Sequence, residues 1–378
     1  MSVFLIAFIA SLTTTLFIVR SAPRHAHLSG DTDQSAPQKF HARVVPRVGG
    51  IGIALGLAAA LLWAWPASAP IERSNILGLG LSASIAFGAG LIEDFTKRVT
   101  PSQRLLAVVL AAAVALWLVG TEIIRIDVAV LDALLAVGGV SIALTLFAVA
   151  GVANSINIID GFNGLASMCV AIMLGAIAYV ANLVGDTLVL TCALAGLGAV
   201  LGFFVWNYPF GLVFLGDGGA YFLGFWVAQL GILLVQRNEE VSPMFPLLLC
   251  AYPMFETLFT MYRRKVVRGR PVGQPDATHL HSLVYRRLMR WAIGRRDSAN
   301  LLRRNSLTSP YLWLVCSLSA GPALLCWDQT GPLGACLLGF CLLYLALYRA
   351  IVRFRTPRLL VRTGEHWAAE DPVSKSAG

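Results

Sequence analysis

The chain has 378 residues, 57% of them hydrophobic and only 13% charged, with a net charge of +9 and a mean hydropathy of +0.73. A soluble domain carries roughly 25% charged residues, so this composition excludes a soluble globular protein and points to a polytopic membrane protein. The basic balance is mostly a matter of topology and gives no reason to expect a nucleic acid partner.

Apolar runs of about 17 to 25 residues predict an all-α fold of eleven transmembrane helices. They lie at 2-19, 48-66, 75-92, 105-120, 131-153, 164-184, 188-206, 219-236, 243-262, 310-327 and 332-348. Residues 1-348 then form one integral membrane domain, with a long loop at 263-309, and 349-378 form a basic, then polar tail. Of the 29 Lys and Arg residues, 26 fall in 20-47, 93-104, 263-309 and 349-378, and only Arg73, Arg125 and Arg237 occupy the alternate loops. The positive-inside rule therefore places the N-terminus outside and the C-terminus inside. The first run has no basic residues before it and Arg20 after it, which reads as an uncleaved helix rather than a signal peptide. All seven cysteines sit in apolar runs without a CxxC pair, so neither a disulfide framework nor a zinc site is indicated.

The polar clusters follow in chain order, all on the inside. The first loop tightens into Lys39-Phe-His41-Ala-Arg43-Val-Val-Pro46-Arg47-Val-Gly49-Gly50. Its basic residues suit phosphate oxygens or merely set topology, and its glycines would let backbone approach a ligand closely. The third span ends in Glu93-Asp94, followed by Lys97-Arg98. Two carboxylates at the interface are costly, and either an interfacial salt-bridge cluster or a catalytic pair accounts for them. After the fifth span comes Asn154-Ser-Ile-Asn157-Ile-Ile-Asp160-Gly161-Phe-Asn163-Gly164-Leu165. If the helix continues through it, Asn154, Asn157 and Asp160 share one face, and the glycines end the helix. Such a carboxylate and two carboxamides suit a metal-bound diphosphate.

Gly216-Asp217-Gly218-Gly219 leads into the eighth span and resembles a metal or phosphate elbow, an acid beside exposed helix-start amides. The ninth holds Glu256, an intramembrane acid explained by function or by packing against Arg263 or Arg264. The long loop carries Arg268-Gly-Arg-Pro271 and Pro275-Asp-Ala-Thr-His279-Leu-His281. Histidines at i and i+2 need extended or turn geometry to meet one ligand.

Taken together and in order, PRVGG, the acidic pair, NxxNxxDGxxGL, GDxG, PMFETL and PDxxHLH resemble the polyprenyl-phosphate N-acetylhexosamine-1-phosphate transferase family. That family includes the initiating enzymes of O-antigen and enterobacterial-antigen synthesis and bacterial translocase I. The resemblance implies attack of undecaprenyl phosphate on the β-phosphorus of a UDP-N-acetylhexosamine, with release of UMP, at the cytoplasmic face of a bacterial inner membrane. By position, it implies Asp217 as a magnesium ligand and Asp94 as base or metal organiser beside Glu93, with Mn²⁺ as an alternative to Mg²⁺. It further implies Asp160, His279 and His281 in the catalytic region, with Lys39, His41, Arg47, Asn154, Asn157, Asn163 and Arg268 on substrate. Glu93 stands where the family usually has Asp, Asn163 replaces a frequent second acid, and Ser282 replaces a third histidine. The loss of the third histidine and of the charge at Asn163 favours an O-antigen or capsule initiator over the peptidoglycan enzyme. A polytopic transporter is the alternative from another class, and homodimerisation is left open.

Overall fold

The computed structural model describes residues 1-29, 45-269, 278-289, 292 and 298-353. Lys39 and His41 therefore lie outside the described residues. Among the described residues every regular element is a helix. In chain order these are α1 (Ser2–Ser29), α2 (Gly49–Ala64), α3 (Pro70–Thr96), α4 (Pro101–Val119), α5 (Ala129–Leu135), α6 (Gly138–Ile159) and α7 (Leu165–Leu183). They continue as α8 (Thr187–Asn207), α9 (Gly216–Arg237), α10 (Met244–Leu249), α11 (Ala251–Tyr262), α12 (Leu280–Leu283), α13 (Ser298–Leu325) and α14 (Thr330–Arg353).

All eleven expected runs fall on helical segments, and nine helices among the described residues are long and apolar enough to cross a membrane. The fifth, ninth and tenth runs differ, the fifth being divided between α5 and α6 at Ala136 and Val137. The ninth is divided at Cys250 into α10 and α11. Pro253 has no N–H to donate to the carbonyl four residues back, which opens the helix there. The tenth, α13, begins well before the apolar run. Its early polar residues Asn305, Thr308 and Ser309 are fully buried against protein, so hydrophobicity alone does not mark them.

The bundle is organised around α9, whose apolar length is buried throughout and which packs chiefly against α3 and α6. Glycines set these approaches. A Cβ on Gly224 would lie 2.5 Å from the Ala153 backbone, and one on Gly90 would lie 2.6 Å from that of Asp217. Side chains at either place would force the helices apart. On the other flank α1 packs on α2 and α8 through Gly52, Gly56, Gly198 and Gly202, the small-xxx-small spacing that brings membrane helices into backbone contact. A Cβ on Gly198 would sit 2.3 Å from the Phe4 carbonyl oxygen, against backbone that cannot rotate away. Gly198→Ala is therefore expected to destabilise the α1 contact by about 1–3 kcal/mol, read as a lowered melting temperature of the detergent-solubilised protein. An unchanged melting temperature would mean that α1 shifts freely.

The polar residues gather at the two ends of the bundle. At one end, the three basic residues of the sparsely charged loops are each used to hold loops. Arg73 donates to the carbonyls of Ser68 and Pro66, Arg125 to those of Asn238, Glu239 and Val241, and Arg237 pairs with Asp186 at 2.7 Å. The described members of the expected polar clusters are at the other end.

Candidate active site

The site begins where α9 begins. Gly216 has φ +77°, and a Cβ there would lie 2.0 Å from the Arg47 carbonyl oxygen and 2.6 Å from Asp94 Oδ2, so the turn requires glycine. The first amides of a helix have no partner within it. Here Asp94, buried at the end of α3, supplies one: its Oδ1 accepts the Asp217 N–H and its Oδ2 the Gly218 N–H, both at 2.9 Å. A carboxylate across the positive end of a buried helix is favourable, and it fixes the direction in which Asp217 points.

Glu93 has a different task. Its Oε2 accepts the Val99 N–H at 2.7 Å and closes the turn between α3 and α4. The expected salt-bridge cluster with Lys97 and Arg98 does not form. Lys97 Nζ donates to the Asp94 carbonyl oxygen at 2.8 Å, and among the described residues no ion pair joins either base to either acid. Adjacent residues on a helix point about 100° apart, so one acid turns to α9 and its neighbour to the following loop.

Around Asp217 three elements converge. Arg104, in the first turn of α4, forms a close ion pair with its Oδ2. Asn157 Nδ2 donates to its Oδ1 at 2.8 Å, and Arg47 Nη2 lies 3.9 Å from the same oxygen. The Arg104 guanidinium lies 5.8 Å from the centre of the Tyr221 ring, and the Tyr221 hydroxyl donates to Asn154 Oδ1 at 3.4 Å. One face of α6, Asn154 and Asn157, thus meets one face of α9, Tyr221 and Asp217. The helix of α6 stops at Ile159, so Asp160 is its C-terminal cap rather than a third helical position. Burial pushes the Asp160 carboxyl up to about 7; the Arg47 charge opposes this, and the Asp217 and Asp94 charges add to it. Among the described residues no group of three or more His, Cys, Asp or Glu is gathered tightly enough to hold a metal ion unaided.

The motif PRVGG packs on protein backbone rather than opening toward a ligand. The Phe214 N–H donates to the Pro46 carbonyl at 2.9 Å, Gly49 and Gly50 donate to the carbonyls of Phe214 and Leu215, and a Cβ on Gly50 would lie 2.5 Å from Gly219 N. The motif is a brace for the Asp217 elbow. Only Arg47 reaches the acid itself.

Asn163 also departs from expectation. It is buried, its Nδ2 donates to the Pro209 carbonyl at 3.1 Å, and its N–H is accepted by Asn305 Oδ1 of α13. Next to it, the Gly164 N–H is accepted by Asn207 Oδ1 at 2.6 Å, while Ser309 and Trp313 donate to the carbonyls of Asn163 and Gly164. This knot locks the loop after α6 from two sides. The contacts described for Asn163 run to Asn305, Pro209 and Ser309, and none of them reaches the Asp217 cluster. Arg268 ends the helical turn after α11 and is exposed.

The two histidines meet. His279 has extended backbone, φ −60° and ψ 152°, before α12, and its ring stacks on that of His281 with centres 5.0 Å apart and planes 9° apart. That is the non-helical geometry their spacing requires. His281 touches the Phe162 ring edge-on, and its Nε2 lies 3.5 Å from where a Cβ on Gly161 would stand, next to Asp160. Behind them is Glu256, whose described partners are His279, Leu280 and Tyr344 rather than Arg263 or Arg264.

Arg104 is the residue of this cluster that the sequence does not single out. Its position in Thr100-Pro-Ser-Gln-Arg104 marks a helix start with a capping Thr, and its charge fits the topology rule; nothing local links it to an acid 113 residues away.

The chain matches the model of glycosyl transferase family 4 over residues 76–235. It is similar to the probable undecaprenyl-phosphate N-acetylglucosaminyl 1-phosphate transferase of Bacillus subtilis (strain 168), at 30% identity over 294 residues, covering 78% of this chain and 79% of that one. A shorter likeness, 29% over 93 residues and 30% of the relative's length, joins it to the undecaprenyl-phosphate alpha-N-acetylglucosaminyl 1-phosphate transferase of Thermotoga maritima. The matched family segment runs from α3 to the end of α9 and so contains Asp94, Arg104, Asn157, Asp160 and Asp217. With its ordered motifs, the cluster they build and a relative alike over most of both lengths, the chain belongs to glycosyl transferase family 4, the polyprenyl-phosphate N-acetylhexosamine-1-phosphate transferases.

Proposed function

We propose that this multi-pass membrane protein transfers an N-acetylhexosamine 1-phosphate from a UDP-sugar to undecaprenyl phosphate, at the end of the bundle that holds Asp217. The observation that carries the reading is the convergence of Arg104, Arg47 and Asn157 on Asp217, at a helix start whose amides Asp94 caps. We place this end on the cytoplasmic side of a bacterial inner membrane, because 26 of the 29 basic residues lie in the corresponding loops and tail.

The chemistry needs little more than placement and charge. A lipid phosphate oxygen forms a bond to the β-phosphorus, the bond from that phosphorus to the bridging oxygen breaks, and the oxygen leaves on UMP with the electron pair. Such transfers proceed without a covalent enzyme intermediate when the phosphates are positioned and their charge is neutralised. Arg104 and Arg47 carry fixed positive charge to the site, and Asn154 and Asn157 offer carboxamides. Asp160, pushed up to about 7, is a group whose charge responds to an arriving anion and cation near neutrality.

The donor set fits Mg²⁺ in one way only. Mg²⁺ is commonly held by one or two carboxylates together with substrate phosphates and water. Asp217 and Asp160 suit that role, whereas a metal cage made by the protein alone has no support. Mg²⁺, when bound, would neutralise the diphosphate oxygens. Arg104, paired with Asp217 here, would then turn its charge to a phosphate.

The test follows UMP release by purified protein given undecaprenyl phosphate and UDP-N-acetylhexosamines, beginning with UDP-N-acetylglucosamine, with Mg²⁺ or with EDTA. Release should require the lipid and should fall at least about tenfold in EDTA, roughly 1.4 kcal/mol of barrier. No release from any donor by folded protein would overturn the reading. Undiminished release in EDTA would overturn the metal alone.

A further inference from the structure

The proposed reaction leaves one buried acid without a task. Glu256 lies within α11, is 1% exposed, and stands apart from the Asp217 cluster. A carboxylate so placed is costly unless its oxygens are used. Both are used, and by two separate pieces of chain. Oε1 accepts the Leu280 N–H at 2.9 Å and faces His279 Nδ1 at 3.0 Å, while Oε2 accepts the Tyr344 hydroxyl of α14 at 2.7 Å.

From the carboxylate a continuous line of contacts leads to the reaction site. An ionised Glu256 can only accept, so its contact with His279 puts a proton on Nδ1 and leaves Nε2 as the ring's other face. Thr260 Oγ1, 3.2 Å from the same Nδ1, adds a second polar neighbour from α11. The His279 ring stacks on His281, and His281 rests edge-on against the Phe162 ring, two residues after Asp160. Tyr344 is itself held by the rings of Phe255 and Phe259, at 5.0 and 5.9 Å between centres, so its hydroxyl is aimed by packing.

We infer that Glu256, aimed by Tyr344, is a positioning residue for the transfer: it fixes the ring orientation and proton placement of His279 and thereby the seat of His281 against the Asp160 loop. This rests on the transferase reading above. Glu256 touches none of the reacting atoms. It acts through His279, to whose ring and following amide it is bonded.

The experiment is a double-mutant cycle. Glu256→Gln keeps the shape of the side chain and one accepting oxygen but removes the charge, and His279→Gln removes the ring through which it acts. Glu256→Gln should lower kcat for UMP release at least about tenfold, the lower end of what partners that orient a histidine contribute. The KM for undecaprenyl phosphate should stay within about twofold, since the lipid contact is not assigned to this chain of groups. Adding Glu256→Gln to His279→Gln should cost nothing further, because the two act as one unit. Full additivity, or a kcat within about twofold of wild type, would overturn the inference.

Tyr344→Phe is the milder variant should Glu256→Gln not fold: it leaves the charge and removes one aiming hydrogen bond, and a loss of about threefold to tenfold is expected. An unaltered kcat there overturns the role of Tyr344. Nitrogen-15 spectra of labelled protein separate this inference from the transferase reading. The signal that His279→Gln removes should report a proton on Nδ1 in wild type and a mixed tautomer in Glu256→Gln, whether or not any sugar donor is turned over. The same tautomer in both proteins would overturn it.

Discussion

Asp217→Asn is expected to reduce UMP release by at least about a hundredfold, the range found when one preorganised charged or polar group is removed from a reacting site. The substitution keeps size and shape, and Asn157 can still donate to the remaining oxygen. It removes the negative charge on which Arg104 and Arg47 converge and on which a cation would sit. A second effect comes with it. Arg104 is nearly buried, and taking away one partner of a buried pair costs about 3–5 kcal/mol, since the other charge is left uncompensated. Loss of activity in the single variant therefore has two causes, and the melting temperature of the double variant Asp217→Asn with Arg104→Gln isolates the second of them. With both charges gone, the melting temperature of the detergent-solubilised protein should recover toward wild type, while transfer stays abolished. If transfer returns with stability, Asp217 is a strut and the metal assignment is wrong. Retention of more than about a tenth of wild-type turnover by the single variant, roughly 1.4 kcal/mol of barrier, would count against it equally.

The helices were legible because each apolar run must satisfy its backbone internally in a bilayer, and length then sets its limits. The same signal fails where burial is by protein. The early turns of α13 carry Asn305, Thr308 and Ser309, which read as loop and are instead the buried clamp on the Asn163 turn. The break at Cys250 was hidden in the opposite way: α10 and α11 together read as one apolar run, and Pro253 is a small mark within it.

At the site, residues close in sequence were grouped correctly only where helix geometry carried them. Asn154 and Asn157 share a face as their spacing requires, and the loop histidines meet as an extended i, i+2 pair must. Glu93 and Asp94, read as a pair, diverge to different tasks. Long-range partners were beyond reach. Arg263 and Arg264 are near Glu256 in the chain and were the natural counter-charges, yet its partners are 23, 24 and 88 residues away. PRVGG announced a close backbone approach without saying to what, and the answer is the chain at Phe214 and Leu215, which exchanges backbone hydrogen bonds with Pro46, Gly49 and Gly50 under the α9 elbow.

Asp94→Asn carries the second large effect, and the sequence left two roles open for it. As a base, Asp94 would take a proton from the lipid phosphate. As an organiser, it would hold the Asp217 elbow. The geometry favours the second, because both oxygens already accept backbone amides and the side chain is 1% exposed. An asparagine can accept only one of those amides and turns its NH₂ toward the other, which leaves a buried donor facing a donor at a cost of about 1–3 kcal/mol. The start of α9 then shifts, and Asp217 with it. Transfer should fall at least about a hundredfold, an expectation scaled on the loss of a preorganised group. The two roles part in their pH dependence. A phosphate monoester gives up its second proton near about pH 6, so a missing base matters less and less above that value. A base role therefore predicts that the defect of Asp94→Asn shrinks steadily from pH 6 to pH 9 relative to wild type. A displaced elbow is not repaired by ionising the lipid, and the ratio of variant to wild-type kcat should stay flat over that range. A ratio that climbs with pH toward unity would return Asp94 to the role of base.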